Sequence, residues 1–260
     1  RGLVSPSTMI DTTGPMRTGP HRIRNYKNHG PALSVRDVIV ESANTGTARI
    51  AQKIGSEHQR EFLGALGFLA PTTLEMLEAR SGRPLLPPNW SETYSLTVSY
   101  GHGLSASPQH MAVGYASLLN GGTIIAPTLL KRDDPQNGPR IVSDQTSRIA
   151  RNMLRDVVVR GTASFAEITG YEVAGKTGTA NKPKPGGYHD DKVIATFASV
   201  FPSHDPKYVL VDTSGIEPRR TAGWTAVPVA AEVIRRTAPL LGLAPRIEHA
   251  PAGEVTLAAN

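Results

Sequence analysis

The hydrophobic pattern of the chain changes once, near Tyr171, and that change limits the folds open to it. Before it, apolar residues recur at helical spacing. After it come "VIATFASVF" and "KYVLV", joined by the turn signal "PSHDP", which read as an antiparallel pair of strands. "TAVPVAAEVIRRTAPLLG" follows as an apolar helix that ends or bends near Pro239. Helices first, strands next and a closing helix predict an α+β arrangement with an antiparallel sheet flanked by helices, or a mixed sheet with a helical subdomain. Residues 1–170 form the mainly helical part with an extended N-terminal segment, and residues 171–260 carry the sheet strands and the closing helix.

Within the first part, Arg1 to Pro31 are rich in Gly, Pro, Thr and Arg without periodicity, which predicts an extended surface segment. Ser34 is the expected N-cap of a short helix with Val35, Val38 and Ile39 on one face. "SANTG" interrupts it. "TARIAQKIG" restarts a helix that stops at Gly55. Ser56 and Gln59 have the spacing of a capping box for a third helix, stopped by Gly67. Residues 71–98 read as irregular. Ser107 and Pro108 open another helix that ends before Gly121, and "TIIAPTLL" is strand-like. Ile149, Met153 and Val157 mark a further helix.

At 260 residues the chain is long enough to bury a substantial core, and it has no cysteine, which excludes disulfides and thiolate metal sites. Its net charge of +6 predicts an anionic neighbour. No apolar run is long enough to span a bilayer, and no signal peptide is present. The chain opens in mid-phrase at Arg1, so the expectation is part of a longer protein, with its membrane anchor upstream.

One stretch does not suit an ordinary strand. "VAGKTGTANK" sets Lys176, Thr177, Gly178 and Thr179 in a row. Alternation puts Lys176 and Gly178 on one face and Thr177 and Thr179 on the other. A fixed positive charge, two hydroxyls that bind a carboxylate, and glycines that admit another backbone suit an extended peptide ending in a carboxylate. The plain alternative is an edge strand guarded by lysine against aggregation. Earlier, Ser42-Ala43-Asn44 puts a hydroxyl and an amide on a tight turn between two helices.

Other charged stretches have simpler readings. "HRIRNYKNH", with Tyr26, has no nucleic-acid fold signature around it and reads as a solvated face near anionic lipid or an anionic polymer, so no nucleic-acid partner is expected. "YHDDK" and "SHDP" read as turns, so no metal is expected. His102 in "YGHGLS" reads as structural, and Arg219, Arg220, Arg235 and Arg236 as surface charges.

Ser-x-Asn and Lys-Thr-Gly in this order, with "GLVSPSTMIDT", "SYGHGLSASPQHMAVGYASLLNGG", "GYEVAGKTGTA" and "TAGWTAVPVAAEVIRR", make the chain resemble the transpeptidase domain of class B penicillin-binding proteins over nearly its whole length, closest to the division-specific branch. The resemblance implies the penicillin-binding protein and serine β-lactamase fold. It also implies a serine acyl transferase that cross-links D-Ala-D-Ala stem peptides and is acylated by β-lactams. Ser42 would relay a proton between the catalytic lysine and the leaving amine, and Asn44 would hold the acyl side-chain amide of the donor peptide. Lys176 would bond Ser42 and raise the positive potential. Thr177 and Thr179 would hold the terminal carboxylate, with Gly178 between them, and the Thr179 N–H would give half of an oxyanion hole. Tyr188 would form an aromatic wall. Stem peptides, β-lactams and other wall-synthesis and division proteins are the implied partners. No cofactor is implied, and the implied location is the periplasmic face of the bacterial inner membrane.

Two departures stand out. No serine in the chain is followed three residues later by lysine, so the family's acylated Ser-x-x-Lys nucleophile is expected upstream of Arg1, with the first strands of the sheet. "KYVLVDTSGIEP" is also shorter than the family's strand. The rival readings are a DD-carboxypeptidase or β-lactamase on the same fold, and a non-catalytic scaffold or sensor. The absence of a Glu-x-x-x-Asn pair weighs against the β-lactamase.

Overall fold

The proline- and glycine-rich opening residues pair with one another and with the first helix instead of running free. In the computed structural model, which describes residues 2–19, 21–134, 137–184, 187–216 and 221–246, β1 (Met9–Asp11) pairs with β4 (Ala32–Ser34), and β2 (Met16–Thr18) with β3 (His21–Ile23), both antiparallel. The expected extended surface segment is thus partly paired and partly buried. Ile10 and Ile23 are buried here. Three-residue strands bury too few side chains each to show a period in the sequence.

α1 (Val35–Val40) begins at Ser34, whose hydroxyl accepts the Asp37 N–H at 3.1 Å. α2 (Asn44–Ile54) stops at Gly55, φ +84°. α3 (Ser56–Ala65) follows at once, but Gly55 is its N-cap and no side chain caps it. The predicted capping box is therefore absent. Gln59 instead bonds across to α4 (Glu92–Val98), accepting from Ser95 Oγ at 2.8 Å and donating to Ser95 O at 2.9 Å. α4 itself corrects the reading of residues 71–98 as irregular: Ser91 caps it and Leu96 is buried against α2. Its apolar residues Tyr94, Leu96 and Val98 alternate instead of recurring at helical spacing, so no helical stripe shows in the sequence.

α5 (Pro108–Leu119) has the expected Ser107 cap, with His110 completing a capping box. Of "TIIAPTLL" only β5 (Thr123–Ile125) is strand, paired with β6 (Asn137–Arg140), and α6 (Asp144–Arg160) follows.

The sheet is β7 (Ala174–Lys184), β8 (Gly187–Phe201) and β9 (Tyr208–Ile216), in that order and antiparallel. β8 begins well before the predicted "VIATFASVF". Its two faces bury different sets of side chains, and α6 contributes to both. Ala195, Phe197 and Phe201 pack with Ala226, Val227, Ala230 and Ile234 of α7 (Ala226–Thr237). Ala174 and Val200 on the other face pack with Leu119 of α5 and with Ala150 and Leu154 of α6. α7 ends at Ala238, directly before Pro239, as its sequence requires. Among the described residues β7 is paired on one side only, so its outer edge is free for another strand. The loop after β9, where the chain reads short, lies outside the described residues, as do Arg219 and Arg220.

Candidate active site

Ser42 stands where α1 hands over to α2. The turn is closed by Ser42 N–H to Ile39 O at 3.3 Å and Ala43 N–H to Val38 O at 3.0 Å. It gives Ser42 a φ of +57°, the left-handed region that side chains disfavour. α2 then presses close on α1: a Cβ on Gly46 would lie 2.7 Å from Val38 Cγ2. No local side chain caps α2. Asn25 does so from a distance, its Oδ1 accepting the Thr45 N–H at 2.9 Å. Asn25 Nδ2 and Thr45 Oγ1 both donate to Thr12 O, at 3.1 and 2.9 Å. The first strands thus hold the Ser42–Asn44 turn in place. The Asn44 amide donates to Arg24 O at 3.0 Å.

Across from this turn lies β7. Its register is regular from Ala174 to Asn181, and Lys176 pairs with Ala198 while Thr177 pairs with Phe197. The predicted alternation is therefore present, with Lys176 and Gly178 on the α5 side and Thr177 and Thr179 on the α7 side. Gly175 is required by close approach: a Cβ there would lie 2.7 Å from both Ala198 O and Phe197 Cζ. At Gly178 a Cβ would meet nothing nearer than Thr196 Cβ at 4.0 Å, so the space beside that position is open.

Lys176 Nζ donates to Ser42 Oγ at 2.9 Å and to Thr177 O at 3.0 Å. Both acceptors are neutral oxygens. Burial pushes the ammonium down to about 8, because the charged form loses its water without gaining a carboxylate. A desolvated cation beside an open strand edge attracts an anion strongly, since little water screens it.

The two threonines are turned towards other parts of the chain. Thr177 Oγ1 lies 2.7 Å from Thr162 Oγ1, just past α6. Thr179 Oγ1 accepts the Ala222 N–H at 2.9 Å, from the 3-10 turn Ala222–Trp224. A hydroxyl has one proton and two lone pairs. The Ala222 bond therefore leaves the Thr179 proton free to donate to a carboxylate.

Tyr188 lies far along the hairpin from Lys176, opposite Pro183, and its ring is 6.3 Å from that of His102. His102 is in turn 5.2 Å from Tyr100. Burial lowers the His102 pKa, and its buried Nδ1 has no partner. The structure thus brings Ser42 and Lys176 into contact, sets Thr177 and Thr179 on the adjoining face, and places Tyr188 at the hairpin tip. Asn25, Thr162 and Ala222 were not read as site residues. Their contributions are tertiary, and no local spacing announces them. Of the two stretches read as turns, "SHDP" lies in the turn between β8 and β9, whereas "YHDDK" is part of β8, which corrects that reading. Their histidines meet carboxylates, His204 Nδ1 lying 2.8 Å from Glu172 Oε2 and His189 Nδ1 4.0 Å from Asp191 Oδ1. Arg235 and Arg236 are exposed and pair with Glu232.

The class defined by this arrangement is an α+β domain in which a basic, one-sided edge strand faces a serine-bearing turn between two helices. The family model "Penicillin binding protein transpeptidase domain" matches residues 1–235. The chain belongs to the penicillin-binding protein transpeptidase family. It is similar to the "Probable peptidoglycan D,D-transpeptidase FtsI" of Caulobacter vibrioides, with 31% identity over 95% of this chain and 45% of that protein. Among solved structures, the apo transpeptidase domain of penicillin-binding protein 3 from Burkholderia pseudomallei superposes with a TM-score of 0.85. Its identity is 31%, over 94% of this chain and 76% of that one. Penicillin-binding protein 3 from Mycobacterium tuberculosis, complexed with aztreonam, gives a TM-score of 0.82 at 26% identity, over 96% and 62% of the two chains. The chain spans less than half the length of the curated relatives it matches. No helix among the described residues is long and apolar enough to cross a membrane.

Proposed function

We propose that this chain forms the substrate-binding side of a peptidoglycan D,D-transpeptidase active site, serving septal wall synthesis at the periplasmic face of the inner membrane. The observation that carries this reading is the Lys176–Ser42 contact at the unpaired edge of β7. A stem peptide ending in D-Ala-D-Ala lies along that edge as an added strand. Thr177 and Thr179 hold its terminal carboxylate, and Asn44 turns its amide from Arg24 O to the peptide. The nucleophilic serine attacks the carbonyl between the two D-alanines, with the Thr179 N–H as half of the oxyanion hole. Ser42 passes the serine's proton to the leaving D-alanine, while Lys176 stabilises the oxyanion. An amine from a neighbouring stem then displaces the serine and closes the cross-link. β-Lactams acylate the same serine, as suits similarity to a penicillin-binding protein 3 complexed with aztreonam. The acylated serine belongs to a Ser-x-x-Lys motif outside residues 1–260, since none occurs within them.

The test is to label the full-length protein with fluorescent penicillin and map the modified peptide. The expected label falls on a Ser-x-x-Lys serine preceding this chain. Label on Ser42, or no label, would overturn the reading.

A further inference from the structure

The hairpin of β2 and β3 carries a charge arrangement that the fold alone does not call for. Its inner face is Met16 and Ile23, packed with Ala48, Ala51 and Leu96, and Thr18, bonded to Thr93 at 3.0 Å. Alternation turns Arg17 and Arg22 to the other face, directly opposite each other in register, and both are exposed. Arg24 follows directly after β3 and is also exposed. Like charges facing one another across a strand pair are destabilising. Nearby cations are neutralised: Lys27 pairs with Glu41 at 2.6 Å and Arg49 with Asp11 at 2.9 Å. Among the described residues Arg17, Arg22 and Arg24 have no such carboxylate, so an external anion would relieve their repulsion. The hairpin is also joined to the site, because the Arg24 carbonyl accepts the Asn44 amide.

We propose that this arginine face is a second binding surface, which holds free carboxylates carried by peptidoglycan stem peptides away from the bond being cut. The inference rests on the transpeptidase reading above. Guanidinium groups suit carboxylates through paired, charge-assisted hydrogen bonds. Continuity with the site favours the peptide over an anionic lipid surface, because Asn44, two residues after the Ser42 that Lys176 contacts, is bonded to the Arg24 carbonyl. A lipid surface would gain nothing from that link. The surface adds affinity and steering for the polymer, and a small β-lactam does not reach it.

The experiment measures binding of soluble, uncross-linked peptidoglycan fragments with pentapeptide stems to the full-length protein at low and high salt. Three proteins are compared: the wild type, Arg17→Gln with Arg22→Gln, and Arg17→Lys with Arg22→Lys. Fragments amidated only at stem carboxylates other than that of the terminal D-alanine, which Thr177 and Thr179 hold, form a separate arm that needs no variant. Fluorescent-penicillin labelling reports on the Lys176 site alone. The glutamine pair is expected to bind fragments about fivefold more weakly at low salt, on the scale of two exposed ion pairs. The lysine pair should keep most of the binding, amidated fragments should bind the wild type weakly, and high salt should remove the difference. Equal binding of native and amidated fragments by the wild type would contradict the inference, as would equal fragment binding by wild type and glutamine pair. Arginine-dependent retention on phosphatidylglycerol vesicles, without arginine-dependent fragment binding, would assign the face to lipid instead. A wild type that penicillin does not label would count against the transpeptidase reading itself, and with it this inference. A labelled wild type that is indifferent to the arginines would count against the inference alone.

Discussion

Lys176 on the edge strand and Ser42 at the helix junction stand 134 positions apart in the sequence and meet at 2.9 Å. Each is prepared by its own backbone. Ser42 is held left-handed by the turn that closes α1, and Lys176 follows Gly175, which lets β7 lie close on β8. Residues held in disfavoured conformations cluster at functional sites, because surrounding structure must hold them there.

The protonation of Lys176 gives the first prediction. Its ammonium is pushed down to about 8 from an ordinary 10.5. Between those values the unfolded chain holds a proton that the folded chain has lost, so this group's contribution to stability rises with pH across that window. Below about 8 both states are protonated and the burial cost is present in full. Lysine 13Cε shifts should show a midpoint near 8 that disappears in Lys176→Arg. Ser42→Ala removes an acceptor from the charged form and should lower the midpoint by roughly one unit, the scale of a hydrogen bond to a charged group. A midpoint near the ordinary lysine value would mean that Lys176 is not desolvated.

Thr179 supplies the second. Thr179→Val keeps the volume but removes the hydroxyl that accepts from Ala222 N–H and has a proton left to donate. Acylation of the full-length protein by a carboxylate-bearing β-lactam should slow by about tenfold or more, while the methyl ester of that β-lactam should lose little. If acid and ester slow equally, the hydroxyl is structural.

The two glycines of the motif should separate stability from binding. Gly175→Ala pushes a methyl into Ala198 O and Phe197, and should cost about 1–3 kcal/mol of stability by overpacking. Gly178→Ala meets open space, so the melting temperature should change little. A methyl there still obstructs a peptide laid on the edge, so penicillin acylation should slow markedly. Thermal melts and labelling rates on the same two proteins decide it. Unchanged labelling of Gly178→Ala would mean that no ligand lies against that face.

Elements with strong local caps were legible in the sequence. Ser34, Ser107 and Pro108 mark helix starts by chemistry local to the chain, and the PSHDP turn marks the β8–β9 hairpin. The short strands β1 to β3 were not, because each is fixed by a partner elsewhere and buries few side chains. The Ser56–Gln59 spacing misled for the same kind of reason: tertiary bonds to Ser95 claimed Gln59 before a local cap could. At the site, Ser42, Lys176 and the threonines were legible as residue types in a motif. The residues that orient them were not. Asn25 sits within a basic stretch, Thr162 follows a helix end, and Ala222 acts through its backbone. None of these has a side-chain pattern to read.

The central claim is that the free edge of β7, with Lys176 against Ser42, is where acyl transfer takes place. The most direct test is the second-order rate of penicillin acylation of the full-length protein carrying Lys176→Ala, beside a melt that establishes its fold. The expected result is a folded protein acylated about a hundredfold more slowly than the wild type, the scale of losing a positioned charge and proton path. A folded variant acylated within threefold of the wild type would contradict it.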